Sequence, residues 1–180
     1  MRRLLATALG LAISACPATA AIAQSGNTAA QPVQTDAAGY VRETAISGLF
    51  EISAAQAALE KASSDDVRSF ARMMLDDHTK AGEQLTDAAK SQNLATALPT
   101  AVDARHDEAL RDLANATEQD FDRLYMRTQV EAHRAALKLQ QDYSSFGANP
   151  ALKAIATQLL PVIKRHLDQA QTILDRLGKA

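Results

Sequence analysis

The chain has 180 residues, with 19 basic and 21 acidic side chains, four histidines, no tryptophan and a single cysteine. That length supports one domain with a sizeable core, and the interspersed charges include no basic run of the kind a nucleic-acid partner needs. One cysteine excludes an internal disulfide and a zinc–thiolate cluster.

The first residues, "MRRLLATALGLAISACPATAAIAQS", have the layout of a secretory signal. Arg2 and Arg3 form its charged start, and the apolar run from Leu4 to Ala15 is shorter than the roughly 20 residues a bilayer span needs. Small residues at Ala21 and Ala23 predict cleavage after Ala23, so residues 1–23 read as a signal peptide and the mature chain as periplasmic. A rival lies in the same stretch. "ISAC", ending at Cys16, resembles a lipobox, and cleavage there would leave a lipoprotein anchored through that cysteine. Both readings export the protein. Without Arg2 and Arg3, 17 basic residues face 21 acidic ones, a net charge of −4. Residues 24–36, "QSGNTAAQPVQTD", are polar and aperiodic and read as a flexible linker.

After residue 50 proline and glycine are scarce, so breaks between helices are easy to place. A first long helix runs from about Asp36 to Ala62, with Val41, Ala45, Leu49, Ile52 and Leu59 at helical spacing and Gly48 allowing close approach of a neighbour. "SSDD" starts the second near residue 65: Ser63 or Ser64 would accept from its free amides, and Asp65 and Asp66 suit its positive end. It continues to about Gln92. Pro99 precedes a short helix at about 101–115, and Thr117 caps the third long helix, about 118–146. "GANP" ends that helix, with Gly147 or Asn149 suited to a left-handed C-terminal position. The fourth runs from about Pro150 to Leu177, kinked by Pro161.

Four such stripes are buried most simply in an all-α, up-down four-helix bundle covering residues 37–178. Residues 93–117 are long enough to cross from one end to the other, although a short helix folded over one end fits the periodicity equally well. No later segment is apolar and long enough to cross a membrane.

His78, in "MMLDDHTKAGEQL", falls on the apolar stripe of its helix, as does His166 in "LLPVIKRHLDQA", while His133 in "VEAHRAALKL" lies beside its own. At 1.5 Å per residue from the turn between the first two helices, Glu51 lies about 17 Å along, His78 about 20 Å, His133 about 23 Å and His166 about 18 Å. All four fall in one slab. Imidazole and carboxylate ligands together suit one zinc, iron, manganese or copper ion. Asp77, Asp122 and Tyr125 stand as supporting partners around those ligands. The di-iron pattern needs a Glu three residues before a His, and Leu75, Val130 and Ile163 occupy those positions. The competing reading keeps the histidines as hydrogen-bonded core residues paired with Glu51, Asp122 or Tyr125, in a structural or interaction module without metal. No serine or cysteine nucleophile sits in a recognisable setting and no phosphate-binding glycine loop exists. A redox or oxidase-type enzyme using a bound metal is the weakest reading, because the Glu-x-x-His pairs are missing. His106, in "DARHDEALRD", reads as a surface residue.

"FARMMLDDHTKAGEQL", then "LP", "FDRLYMRTQVEAHRAAL" and "LLPVIKRHLDQAQTIL" resemble the exported bacterial domain family of unknown function, DUF4142, over about residues 38–176. The resemblance implies a ferritin-like bundle with the long crossover between its second and third long helices. Its members are often labelled outer membrane proteins, yet this chain has no alternating barrel strands. The family pattern falls on Glu51, Asp77, His78, Asp122, Tyr125, His133, Pro161 and His166. Gln129 stands where members often carry Met. No activity comes with the resemblance.

Overall fold

The computed structural model describes residues 36–179. The expected signal peptide, Cys16 and most of the expected linker lie outside the described residues. What is described is all helical: α1 (Ala37–Lys61), α2 (Asp65–Ser91), α3 (Ala104–Asn115), α4 (Glu118–Phe146) and α5 (Pro150–Leu177), with one short 3-10 turn at Ala95–Ala97. None of these helices is long and apolar enough to cross a membrane.

Local chemistry explains most boundaries. Asp36 accepts from Gly39 N at 2.7 Å, Asp103 from His106 N at 2.9 Å, Thr117 from Asp120 N at 3.2 Å and Asn149 from Leu152 N at 3.1 Å. Each satisfies an amide that the first helical turn leaves without a partner. Pro150 opens α5, where its missing N–H costs nothing, and Pro161 sits inside α5 without ending it.

Two expected caps are built differently. Ser64 precedes α2 but makes no side-chain cap bond. The carboxylate of Asp122, on α4, instead accepts from Ser63 N at 3.2 Å, Ser64 N at 2.8 Å and Ser63 Oγ at 2.7 Å. Nor is the left-handed terminator at Gly147, whose φ is −59°, or at Asn149, whose φ is −93°. Gly147 answers a different need, because a Cβ there would stand 2.6 Å from the Tyr143 ring. The left-handed residue is Asn93, with φ 57°, just after α2. There Leu94 N donates to Ala89 O at 2.7 Å and Asn93 N to Lys90 O at 3.1 Å, the paired bonds that close a helix on such a residue.

Contacts at the ends fix the order of the helices. One end gathers the Asp122 contacts, Arg176 Nη1 on Asp66 at 2.7 Å, and Arg123 Nη2 donating to Leu177 O at 2.8 Å. The C-terminus of α1, the N-termini of α2 and α4 and the C-terminus of α5 therefore lie together. Asn149 donates to Gln92 at the opposite end, 2.9 Å away. Residues 92–117 thus run the length of the molecule and make α4 parallel to α2. Lys61 holds this crossing segment by donating to the carbonyls of Leu113, Ala114 and Ala116 at 3.1, 2.6 and 3.1 Å. Helix α1 packs against α2 and α4, α5 against α4 and α2, and α3 against α1 and α4.

The core has two parts. Around the α1–α2 turn lie Phe50, Val67, Phe70, Met74, Leu113, Phe121, Tyr125 and Met126. Near the other end lie Tyr40, Val41, Leu85, Tyr143 and Leu152, with the Tyr40 and Tyr143 rings stacked at 3.8 Å.

Candidate functional site

Between those two parts His78, His133 and His166 meet. His78 comes from α2, His133 from α4 and His166 from α5, each in the middle of its helix. Ring centroids are 5.8 Å apart for His78–His133, 5.8 Å for His78–His166 and 5.4 Å for His133–His166. One ring nitrogen from each lies within 4.8 Å of the other two. Ligands of a tetrahedral zinc ion stand about 3.3 Å apart, as Zn–N bonds of about 2.05 Å require, so small side-chain rotations bring three nitrogens onto one ion.

Two of the rings are oriented by what their other nitrogen does. His133 Nδ1–H donates to Gln129 O at 2.9 Å, one helical turn back. His166 Nε2–H donates to Asp77 Oδ2 at 3.0 Å, an oxygen that Arg165 also reaches at 3.1 Å. Those bonds assign the tautomers, and the remaining nitrogens carry lone pairs. His78 Nε2, His133 Nε2 and His166 Nδ1 are all buried and have no hydrogen-bond partner.

Burial keeps the imidazoles neutral. It pushes His78 down to about 3, helped by His133 and His166, and His133 down to about 4 despite the Gln129 carbonyl. His166 is lowered by burial, with the Asp77 carboxylate opposing. Burial pushes the Asp77 carboxyl upward, but His166 and Arg165 together outweigh it and hold it below the usual range. At neutral pH the centre therefore offers unprotonated nitrogen.

Glu51 stands outside the group of three. Its carboxyl accepts from Gln129 Nε2 at 2.7 Å and lies 3.7 Å from His133 Nδ1, the nitrogen that donates to the Gln129 carbonyl. Burial raises Glu51 to about 8, with the Gln129 amide opposing, so it is predominantly protonated at pH 7. Asp122 is occupied at the α1–α2 turn. Tyr125 lies among Phe70 and Phe121 in the first part of the core, with its hydroxyl unpartnered. Of the three residues expected to support the histidines from outside, Asp77 alone does so.

Gln129 is fully buried and joins Glu51 to His133 through its side chain and its carbonyl. Its place one turn before His133 is the sequence signal for that link. His106 is not the surface residue its polar neighbours predict: its side chain is 12% exposed and its ring lies 4.9 Å from that of Phe50. Asp103 holds it through Nδ1 at 2.6 Å.

Three neutral nitrogens converging without a carboxylate can hold a late first-row metal ion, with at least one coordination position left for a water or an added ligand. No curated protein and no solved structure matches the chain. The domain of unknown function DUF4142 matches over residues 22–173, most of the chain's length. The chain therefore belongs to the DUF4142 family.

Proposed function

We propose that this is an exported envelope protein whose ferritin-like four-helix bundle holds one transition-metal ion on His78, His133 and His166. One observation carries the metal reading: a nitrogen from each ring lies within 4.8 Å of the other two, and each ring has a buried nitrogen with no protein partner. A purely structural histidine core would leave those nitrogens unmet, at a cost of about 1–3 kcal/mol each. A metal ion meets all three at once. Imidazole ligands favour zinc, copper, iron or nickel. Glu51 stands outside the three, its carboxyl held by the Gln129 side chain beside His133. The end-to-end crossing of residues 92–117 supports the ferritin-like description, while the absence of Glu-x-x-His pairs argues against a di-iron centre.

Export rests on the leader. Cleavage after Ala23 gives a soluble periplasmic chain, and cleavage before Cys16 a lipid-anchored one; the mass of the mature N-terminus separates them. Elemental analysis of untagged protein isolated from the periplasm tests the metal. About one equivalent per chain is expected, lost in both His78→Ala and His166→Ala. Trace metal that ignores both substitutions removes the metal reading and leaves a structural module.

A further inference from the structure

Beside the histidines the long helices leave a partly open pocket of about 600 Å³. All four long helices line it, and Leu98 and Pro99 of the crossing segment close one side. A volume of this size suits a small organic molecule. Its walls are chiefly apolar, from Ala45, Ile52, Leu85, Leu139, Leu159 and Ile163. Gly48 and Gly82 also face it, and a Cβ added at either would meet nothing within 4 Å. Gly48, expected to let a neighbour approach closely, instead leaves space.

The inner wall is the histidine centre. His78 and His166 both line the cavity, and the nitrogens they leave unpartnered, Nε2 and Nδ1, are buried. His166 is 1% exposed. His78 and His166 thus belong both to the pocket wall and to the group of converging nitrogens.

Charge narrows the occupant. A divalent ion on three neutral imidazoles keeps its whole charge, because no carboxylate belongs to the group. Asp77 also borders the cavity, but His166 and Arg165 already engage its carboxylate. A largely buried net charge is costly unless a counter-charge meets it. At the rim, Glu83, Asp87 and Lys90 are exposed and screened by solvent and salt. A molecule matching both halves of the space has one anionic oxygen donor and a hydrocarbon body.

Building on the metal reading, we infer that the cavity binds a medium-chain carboxylate, its head on the ion held by His78, His133 and His166 and its chain along Gly48 and Gly82. The carboxylate supplies the missing negative charge, and the chain removes apolar wall from water, worth roughly 25 cal/mol per Å². The absence of built-in acid ligands and the unfilled space beside the two glycines then have a common cause.

The test uses purified protein loaded with Co²⁺, whose visible absorption reports its ligands, titrated calorimetrically with decanoate, acetate and decanol. Decanoate is expected to bind at least about tenfold more tightly than acetate, which lacks the body, or decanol, which lacks the charge. It should also change the Co²⁺ spectrum. Gly82→Leu and, separately, Gly48→Leu should keep full metal occupancy yet weaken decanoate by about tenfold or more. If protein that holds its ion binds decanoate no better than acetate, or both glycine variants bind it normally, this inference is overturned and the metal centre stands. Equal decanoate affinity with and without metal overturns it too, since the head would not be on the ion. Failure of the wild-type chain to take up Co²⁺ removes the metal reading itself, and this inference with it.

Discussion

The turn and the middle of the α1–α2 hairpin treat buried polar groups in opposite ways. At the turn, Asp122 is 6% exposed and its two carboxylate oxygens accept from two amides and a hydroxyl, while Phe70, Phe121 and Tyr125 fill the space beside it. Midway along, His133 and His166 are as withdrawn from water and His78 less so, yet each leaves a buried nitrogen unmet, and the space beside them is open. The first region is complete as folded. The second is stable only because the rest of the chain holds it in place, which is how sites for an external ligand are usually arranged.

Acid should expose this difference most strongly. For the metal-free protein, His78 and His133 are lowered from 6.5 to about 3 and about 4, and His166 is lowered as well. Below pH 6.5 the unfolded chain takes up protons that the folded chain refuses, so stability falls as pH drops from 6.5 toward 4. The urea midpoint, measured with chelator present, should fall steeply over that range. Replacing all three histidines by leucine should flatten it. Glu51 works in the opposite direction: it is raised from 4.5 to about 8, so its contribution is full below pH 4.5 and disappears as pH rises through 8. Glu51→Gln should remove that alkaline loss.

Next in size is the filled core. Phe70 is fully buried, and Phe70→Ala should cost about 3–5 kcal/mol in urea unfolding while leaving metal uptake unchanged in the folded fraction. Asp122→Ala should cost about 2 kcal/mol, because the Ser63 and Ser64 amides lose their acceptor. An equal loss of metal in that variant would contradict the separation of the two regions. The smallest effect lies at the cavity, where Gly82→Ala should raise stability by about 0.5–1 kcal/mol, since the new methyl meets open space inside a helix. Gly147→Ala should do the reverse, its Cβ colliding with Tyr143.

Helix boundaries were legible because so few residues break the pattern. The expected second, third and fourth long helices agree with α2, α4 and α5 to within one residue at each end. The meeting of His78, His133 and His166 was legible for a related reason: helical rise fixes depth, and the stripe fixes direction. Those two measures do not fix reach. Glu51 has the right depth, yet Gln129 draws its carboxyl aside, and that contact joins residues 78 positions apart. Asp122 illustrates the same limit, since its capping partners precede it by 58 and 59 positions. The cavity was hidden because a glycine in a helix reads alike whether a neighbour presses on it or nothing does.

The end-to-end crossing also bears on how the chain folds. Helices α1 and α2 form one hairpin and α4 and α5 another, each closed by a short loop. Such local pairs form early, and docking them must wait for closure of the long segment between. His78 belongs to the first hairpin, His133 and His166 to the second. The triad is thus assembled only when the hairpins join, so an ion bound there would slow their separation more than it would speed their formation.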